Sequence, residues 1–260
     1  MPLEITTNIP CPMRCRYCPQ LALSSAYRGP RRMTMVTFER CMETVPADVR
    51  IDFAGFSEPW VNPDCGGMLN FAAAKGHPIS MYTTLVGVGA EDLEDLAAVE
   101  YNEFVLHLPD AEGNSPMPTT KHYVDLVRQV LAAKIRTRNR FSISCHGTIH
   151  PALADLVAGF PFDNQMIDRA GHLDIGPKTE RSGERGLKCG ISDLNCNVLL
   201  PDGSVVLCCM DYGLEYVLGN LLAQDYAEIR DGATLRQIRE KLASGEGPLL
   251  CHRCGYLEGN

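Results

Sequence analysis

Three cysteines near the start of the chain have the type and spacing to hold a catalytic metal cluster. Cys11, Cys15 and Cys18 follow a CxxxCxxC pattern. A 4Fe-4S cluster normally takes four cysteine thiolates, so a loop that supplies three leaves one iron open to bind and reduce a small molecule. Structural zinc or buried thiols are the alternative, although structural zinc usually takes two cysteine pairs or added histidines. The spacing therefore predicts an open, catalytic cluster.

A second motif joins the cysteine loop in a resemblance to a known superfamily. The loop follows a strand-like run at residues 3–8, and Gly-Phe-Ser-Glu-Pro-Trp at residues 55–60 follows a second such run. Together they resemble the radical S-adenosylmethionine (AdoMet) superfamily, in which a Gly-Gly-Glu-Pro-like motif contacts the AdoMet amino group. The resemblance implies AdoMet as a cofactor, with Ser57 and Glu58 in its site. Ser57 replaces a glycine of that motif, and Glu58 alternatively caps the following turn.

Strand-like and helix-like runs alternate through the first 180 residues, which is typical of parallel βαβ units. Strands are predicted at residues 3–8, 50–55, 79–84, 103–107, 141–145 and 165–169, with helices such as 38–43 and 123–133 between them. The resemblance implies an α/β fold, the partial (β/α)6 barrel of the superfamily, over residues 1–180. Motifs that follow the strand ends would then meet at one mouth of the barrel.

Further polar residues lie where barrel loops contact ligands. The resemblance places Tyr17 near the adenine ring, although Tyr17 alternatively only packs the loop. Thr84 ends a threonine-rich strand, and its hydroxyl can line the AdoMet site. His107 and Asp110 follow the fourth strand and are candidates for substrate contacts, with a purely structural histidine as the alternative.

The fifth predicted strand sends alternate side chains to opposite faces of the sheet. Ser144 and His146 would share one face and Cys145 the other, so only one set faces the barrel interior. Ser144 is a candidate for the cofactor site. Cys145 is a candidate hydrogen-atom donor, while burial as a small apolar residue is the commoner fate of a free cysteine.

Arg169 lies in the run Asp-Arg-Ala-Gly at residues 168–171. This run resembles a Ser-Arg-Ala-Gly sequence of related enzymes that carry an auxiliary cluster, in which the arginine serves substrate and AdoMet. The planar guanidinium suits that role because it matches a carboxylate or paired hydroxyls. A salt bridge to Asp168 or Glu180 is the alternative.

A second cysteine set lies between residues 189 and 254. The set consists of Cys189, Cys196, Cys208, Cys209, Cys251 and Cys254. With a hairpin-like run at 197–206 and a helix-like run at 234–242, it resembles a twitch domain, the shortened SPASM extension of radical AdoMet enzymes. The resemblance makes Cys189, Cys208, Cys251 and Cys254 the ligands of one auxiliary 4Fe-4S cluster.

Two points about this C-terminal region stay open. Cys196 and Cys209 make the choice of cluster ligands ambiguous, and four cysteines also suit a zinc ribbon. The run at 178–188, rich in glycine and charge, indicates a linker. We therefore expect a small cysteine-rich α+β domain at residues 181–260.

Composition narrows the class of protein. The chain has 260 residues, of which 45% are hydrophobic, 12 cysteines and a formal net charge of -8. No apolar run reaches the ~20 residues of a membrane span. The start lacks the basic and apolar regions of a secretory signal, so we expect free thiols in the reducing cytoplasm. The acidic charge argues against nucleic acid as a partner, because phosphate binding generally needs a basic surface.

The resemblance implies an oxidoreductase with two 4Fe-4S clusters and AdoMet, which abstracts a hydrogen from a small polar substrate such as a sugar or cyclitol. An electron donor such as flavodoxin or ferredoxin is implied as a partner. We expect dehydrogenation with the auxiliary cluster as electron acceptor, as in 2-deoxy-scyllo-inosamine dehydrogenase. A radical epimerase with Cys145, Cys196 or Cys209 as hydrogen donor is one alternative. A peptide-modifying maturase is another, disfavoured because only about ten residues precede the cysteine loop.

Overall fold

The computed structural model describes residues 2–160, 162–163, 166–176, 178–192 and 194–259. Six parallel strands stand in chain order: β1 (Pro2–Ile5), β2 (Arg50–Phe53), β3 (Ile79–Thr83), β4 (Tyr101–His107), β5 (Thr137–Ser144) and β6 (Phe162–Asp163). Each strand pairs in parallel with the next. The predicted α/β fold, a partial barrel, is confirmed.

Helices connect these strands and cover the outer face of the sheet. They are α1 (Gln20–Ala26), α2 (Met35–Cys41), α3 (Cys65–Ala74), α4 (Asp92–Ala98), α5 (Lys121–Ala132) and α6 (Pro151–Ala154). The side chains of Thr34 and Thr120 accept backbone N–H groups and so begin α2 and α5. α5 buries residues at three- and four-residue spacing, such as Tyr123 and Val127, against the sheet.

The strands separate an apolar outer face from a polar interior. Leu3 and Ile5 of β1 are fully buried in the core between sheet and helices. Glu4 lies between them in sequence and therefore points to the opposite face, where it lines the barrel interior. Phe53 of β2 and Phe104 of β4 repeat the outward apolar pattern. This alternation lets one sheet supply both a core and a polar cavity.

Several predicted strands need correction: β2 ends at Phe53, β4 begins at Tyr101 and β5 begins at Thr137. The first ends at Ile5 rather than at residue 8, and beyond it the Thr6 N–H bonds the Leu199 carbonyl at 2.9 Å. The sixth lies at Phe162–Asp163 rather than at 165–169. Residue 165 falls outside the described residues, and the stretch 166–170 forms no strand because Arg169 takes a left-handed turn with φ of 51°. Helix α2 begins three residues before the predicted 38–43, where Thr34 caps it.

The C-terminal region continues the barrel sheet. Its elements are β7 (Lys188–Cys189), β8 (Asn197–Leu199), β9 (Ser204–Val206), β10 (Val217–Asn220), α7 (Tyr226–Arg230), α8 (Ala233–Ser244) and β11 (Leu257–Glu258). β8 pairs in parallel with β1, and β8 and β9 form the predicted hairpin. Gly203 turns this hairpin with φ of 83°, a conformation that favours glycine. β11 pairs with β7 in a separate two-stranded sheet.

The order β10-β9-β8-β1-β2-β3-β4-β5-β6 makes one nine-stranded sheet from both halves of the chain. Main-chain hydrogen bonds therefore hold the two cysteine regions in a common frame. Within the described ranges, no helix combines the length and the apolar character needed to cross a membrane.

Candidate active site

A cavity of about 980 Å³ occupies the barrel interior. It brings together many of the residues singled out from the sequence. Those in its wall are Cys11, Cys15, Tyr17, Cys18, Ser57, Glu58, Thr84, His107, Ser144, His146 and Arg169. The cavity therefore joins the cysteine loop to the ends of β2, β3, β4 and β5.

The cysteine loop connects β1 to α1 and is held by short-range hydrogen bonds. The Cys18 N–H donates to the Cys15 carbonyl at 3.1 Å. A hydrogen bond from the Cys15 thiol lowers the pKa of Cys18, against the opposing effect of burial, and the guanidinium of Arg169 adds to the lowering. Burial raises the pKa of Cys11 to about 11. Because the thiolate is the form that ligates iron, Cys18 is the cysteine of this loop most readily deprotonated.

Gln20 ties the cysteine loop to the second motif. Its side-chain oxygen accepts the Cys11 N–H at 3.1 Å, and its nitrogen donates to the Phe56 carbonyl at 2.7 Å. Gln20 is largely buried. Sequence reasoning missed it, and the available signal was a polar residue at the start of a short helix directly after the third cysteine.

Gly55 is required by the close approach of β1 to this motif. It has φ of 68°, and a Cβ there would lie 2.2 Å from Thr6 Oγ1. That hydroxyl accepts the Phe56 N–H at 3.0 Å. Any larger residue would displace the strand end that carries Ser57 and Glu58.

Glu58 is buried and surrounded by donors. One carboxylate oxygen accepts the Thr83 hydroxyl at 2.7 Å, and the other accepts both the backbone N–H and the hydroxyl of Thr84 at 2.6 Å. The Trp60 N–H also donates to Glu58, at 3.2 Å, so the carboxylate caps the turn Pro59–Val61. Burial raises the pKa of Glu58, although these donors oppose the rise. Glu58 thus caps a turn and also faces the cavity, and Thr84 positions it.

The Ser57 hydroxyl is a buried polar group whose hydrogen-bonding capacity is unsatisfied by the described residues. Its Oγ is buried and finds no hydrogen-bond partner among the described residues. A buried hydroxyl is normally satisfied by protein or a bound molecule. Since Ser57 lines the cavity beside Glu58, a ligand with polar atoms fits this place.

Tyr17 is oriented by a loop that Asp110 organises. The Tyr17 and Ser115 hydroxyls are 2.7 Å apart, and the Tyr17 ring centroid lies 4.0 Å from that of His146. Asp110 accepts the backbone N–H groups of Asn114 at 2.9 Å and Ser115 at 2.6 Å. Asp110 is buried in this loop and does not line the cavity. The structure thus places Asp110 in a supporting position behind Tyr17 and outside the cavity wall, where the predicted substrate contact is not seen.

Cys145 faces away from the cavity. Ser144 and His146 line the interior, as the alternation of β5 requires, whereas Cys145 is 1% exposed and outside the lining. Its Sγ contacts the carbonyls of Gly147 at 3.6 Å and Pro109 at 3.8 Å. The structure thus does not bring Cys145 to the place where a hydrogen donor would act.

Arg169 is directed at the cysteine loop rather than at an acid. Its Nε donates to the Tyr17 carbonyl at 3.3 Å. Within the described part of the chain, it forms no ion pair with Asp168 or Glu180. The guanidinium faces the cavity near Cys18, where a carboxylate or hydroxyl ligand would find its donors.

The second cysteine set lines a smaller cavity of about 70 Å³. All six of its cysteines lie in the wall: Cys189, Cys196, Cys208, Cys209, Cys251 and Cys254. Leu194, Leu250 and Leu257 make much of the remaining wall apolar. Pairing of β7 with β11 brings Cys189 beside Leu257. Burial raises the pKa of Cys251 to about 12.

The described residues contain no group of three cysteine, histidine, aspartate or glutamate side chains arranged for a single metal ion. An iron-sulfur cluster instead distributes its cysteines over separate irons. Thiols that line one small, apolar cavity fit that chemistry.

The two regions meet at Tyr212 and at Glu4. Tyr212 is buried and packs on Phe56 with ring centroids 4.7 Å apart, and its proximity helps to lower the pKa of Cys18. Glu4 lines both cavities and accepts a hydrogen bond from the Cys196 thiol at 2.9 Å. Sequence reasoning missed Glu4, although its place between Leu3 and Ile5 already sets it on the opposite face of β1.

Comparison with known proteins agrees with this arrangement. Residues 189–255 match the SPASM family, an iron-sulfur cluster-binding domain. No curated protein matches the chain. The crystal structure of BtrN in complex with AdoMet and 2-DOIA is similar, with a TM-score of 0.65 and 20% identity, over 94% of this chain and 87% of BtrN.

Two further solved structures share the fold. Native anSMEcpe with bound AdoMet and Kp18Cys peptide has a TM-score of 0.62 and 12% identity, over 98% of this chain and 86% of that one. Streptococcus suis SuiB bound to precursor peptide SuiA has a TM-score of 0.60 and 15% identity, over 97% and 70%. These solved structures confirm the predicted fold, and the family match agrees with the predicted iron-sulfur cluster-binding region at residues 189–255.

Proposed function

We propose that this protein is a radical AdoMet oxidoreductase that dehydrogenates a small polar substrate. The observation that carries the proposal is the cavity itself, in which Cys11, Cys15 and Cys18 face Ser57 and Glu58. Three thiols supply an incomplete ligand set for a 4Fe-4S cluster, and the two polar side chains are placed to bind a molecule at its open iron. A 4Fe-4S cluster held by these three cysteines, with AdoMet bound beside it, would supply the one-electron radical chemistry needed to remove a substrate hydrogen atom.

The side chains in the cavity wall would bind AdoMet and the substrate and orient them. Glu58, held by Thr83 and Thr84, presents a carboxylate to the AdoMet amino group, and the unpartnered Ser57 hydroxyl lies beside it. Tyr17 offers an aromatic face for the adenine. Arg169 directs its donors toward carboxylate or hydroxyl groups in the same space.

We favour dehydrogenation over epimerisation because a second set of cysteines lies beside the cavity. After loss of a hydrogen atom, a carbinol carbon becomes a carbonyl by giving up one proton and one electron. The adjacent cysteine set, in a SPASM match, would hold the iron-sulfur acceptor for that electron. An epimerase instead needs a thiol hydrogen aimed at substrate. Cys145 lies outside the cavity, whereas Cys196 and Cys209 lie in its wall, so epimerisation with one of these two thiols remains the alternative.

Peptide modification is the second candidate. The similarity to anSMEcpe and SuiB favours it, because those structures contain peptides. In either case the enzyme needs a one-electron donor, for which flavodoxin or ferredoxin is our proposal.

The test is anaerobic reconstitution, with iron and sulfide counted per chain. Dithionite and AdoMet are then added, and 5′-deoxyadenosine is measured by mass spectrometry. We expect about eight irons in the wild type and about four in a Cys11→Ala/Cys15→Ala/Cys18→Ala variant. Only the wild type should form 5′-deoxyadenosine. Equal cleavage of AdoMet by the variant, or none by either protein, would overturn the proposal.

A further inference from the structure

The stretch from the end of β1 to the middle of α2 differs in charge from the rest of the chain. Residues 5–38 contain five arginines and no aspartate or glutamate, although the whole chain has 32 acidic residues against 24 basic ones. All five are exposed: Arg14, Arg16, Arg28, Arg31 and Arg32, here called the arginine face. None of them forms an ion pair with a described residue. A concentration of positive charge on an acidic protein attracts anionic partners and steers their approach.

Two of these arginines lie on the outer side of the N-terminal cysteine loop. Along the loop, residues 12, 14 and 16 are exposed, whereas residues 13, 15 and 17 are buried and line the large cavity. Arg14 and Arg16 therefore flank Cys15 on the solvent side, each with its Cα about 3.8 Å from that of Cys15. One thickness of backbone separates the solvent side of the loop from its cavity side.

The other three arginines lie close to the two ends of the loop. The Ile9 N–H donates to the Arg31 carbonyl at 2.8 Å, and Asn8 pairs with Arg32 in an antiparallel bridge. These contacts bring both arginines beside the chain that leads into the loop. Arg28 lies two residues beyond α1, the helix that follows the loop. The arginine face therefore surrounds the cysteine loop.

The arginine face also has an apolar element. Leu21, in the first turn of α1, is 86% exposed, and Pro10 and Pro12 are exposed beside the cysteines. A single exposed leucine is ordinary on a protein surface. Apolar side chains among arginines, with few acidic groups between them, are typical of a surface that binds another protein.

Two acids from other segments border the arginine face, and backbone N–H groups hold both of them. Asp202, which lies beside Gly29, accepts a backbone N–H at 3.0 Å. Glu112, in the loop that contacts Arg16, accepts the Thr148 N–H at 2.9 Å. Neither carboxylate forms an ion pair with the arginine face, so the positive charge of that face is available to a partner.

The surroundings of the second cysteine set differ, because acids there pair with basic residues. Arg253, in the run between Cys251 and Cys254, pairs with Glu215 at 3.5 Å. In the segment that precedes Cys189, Arg181 pairs with Glu184 at 2.8 Å. The long positive run without acids is thus a feature of the N-terminal cysteine region.

We propose that the arginine face is the docking surface for the one-electron donor, a small acidic carrier protein such as flavodoxin or ferredoxin. The proposal rests on the proposed function, which requires such a donor. One electron passes from the reduced carrier to the iron-sulfur site of the cysteine loop, so the carrier is oxidised and no bond of this chain forms or breaks. A carrier bound to the outer side of the loop leaves the cavity on the inner side open to AdoMet and substrate.

The first test is binding of oxidised flavodoxin and of oxidised ferredoxin to the reconstituted, unreduced holoenzyme, measured by isothermal titration calorimetry. Arg28→Glu/Arg31→Glu/Arg32→Glu reverses three charges that lie outside both cavity walls. We expect this variant to bind the carrier about tenfold or more weakly than the wild type at low salt. Wild-type affinity should fall as the salt concentration rises. Arg28→Lys/Arg31→Lys/Arg32→Lys keeps the charge and should bind within about threefold of the wild type.

The matched control is Arg185→Glu/Arg236→Glu/Lys241→Glu, which reverses three exposed charges in the C-terminal region. It should bind the carrier like the wild type. An equal loss in this control, unaltered binding by the arginine-face variant, or a wild type that binds neither carrier would each overturn the proposal. So would a wild type that binds a short DNA duplex but neither carrier.

Formation of 5′-deoxyadenosine with two reductants gives a second readout. With reduced flavodoxin or ferredoxin, the glutamate variant of the arginine face should be about tenfold or more slower than the wild type. With dithionite, a small reductant that needs no docking surface, the two proteins should be equally fast. Equal slowing with both reductants would indicate a damaged site and contradict the proposal. If dithionite gives no AdoMet cleavage in the wild type, the proposed function fails, while the binding measurement still decides whether carriers dock here.

Discussion

The two cysteine regions of this protein differ in what surrounds their thiols. Cys11, Cys15 and Cys18 line a large cavity together with carboxylate, hydroxyl and guanidinium groups. The C-terminal thiols line a cavity of about 70 Å³ with apolar neighbours. The first region leaves room for a second molecule beside a cluster, whereas the second is much smaller and adjoins the first through Cys196 and Cys209, which line both cavities.

The difference between the two cavities suggests two different roles for cysteine-ligated iron-sulfur clusters. Three thiols at an open, polar cavity suit a site that binds and transforms a small molecule. Four or more thiols in a small, apolar one suit electron transfer, because burial and hydrogen bonding set the potential of a cluster. Glu4 and Tyr212 contact both regions, so the two sites are coupled through side chains as well as through the shared sheet.

The largest expected effect comes from removing the C-terminal ligands alone. Cys251→Ala/Cys254→Ala should lower the iron content from about eight to about four per chain. AdoMet cleavage should persist while formation of the oxidised product stops, because only the electron acceptor is lost. Iron analysis and 5′-deoxyadenosine assays check both points.

Two control variants sharpen this result. Cys41→Ala changes a buried cysteine of α2 outside both cavities and should keep all the iron. Cys196→Ala/Cys209→Ala should also keep it, if Cys189 and Cys208 are the remaining ligands. Loss of iron from the second control would instead assign Cys196 or Cys209 to the auxiliary cluster.

The second-largest expected effect is on AdoMet binding in the large cavity. Glu58→Gln should weaken AdoMet binding to the unreduced holoenzyme by about 10- to 100-fold, since an amide N–H₂ would face the hydroxyls of Thr83 and Thr84. Equilibrium dialysis with labelled AdoMet measures the change. Glu43→Gln, at an exposed acid that follows α2 and lies outside the cavity wall, is the control and should bind normally. Unaltered binding by Glu58→Gln would remove this carboxylate from the AdoMet site.

A smaller effect is expected at the link between the two N-terminal motifs. Gln20→Ala leaves the Cys11 N–H and the Phe56 carbonyl without their partner. The free energy of unfolding should fall by about 1 to 3 kcal/mol, as measured by urea denaturation. Gln129→Ala, at an exposed position of α5, should change it by less than about 0.5 kcal/mol. Equal effects in the two variants would show that Gln20 is not a structural link.

The smallest effect is a pH dependence at Asp110. Burial alone would raise the pKa of Asp110, but the N–H groups of Asn114 and Ser115 lower it further than burial raises it. The carboxylate therefore stabilises the fold above the ordinary aspartate range, and this stabilisation is lost as the pH falls through the lowered pKa. Asp110→Asn should be less stable than the wild type at neutral pH.

Urea denaturation at several pH values tests the direction of this change in stability with pH. The stability difference between wild type and Asp110→Asn should be constant at neutral pH and shrink below about pH 4. Asp174→Asn, whose side chain is fully exposed, should follow the wild type throughout. A difference that grows on acidification would contradict the assignment of Asp110 as a carboxylate held by backbone donors.

Much of the candidate site was predictable from local pattern. Cysteine spacing over eight residues identified the N-terminal loop, and the alternation of β5 placed Ser144 and His146 on the side opposite Cys145. The same alternation in β1 would have revealed Glu4. Gln20 was not predictable, because its role depends on a carbonyl 36 residues away in sequence.

By itself, the sequence determined the ligand types, their spacing and the period-two alternation of the strands, because these depend on neighbours within a few residues. It also contained the glycine that the turn before Ser57 requires. Tertiary structure alone decided that β8 pairs with β1 and so brings the second cysteine set beside Glu4. It also decided that the buried carboxylate of Glu4 receives its hydrogen bond from the Cys196 thiol. Both outcomes depend on contacts between distant segments, whose register follows from the packing of the whole sheet rather than from any local run.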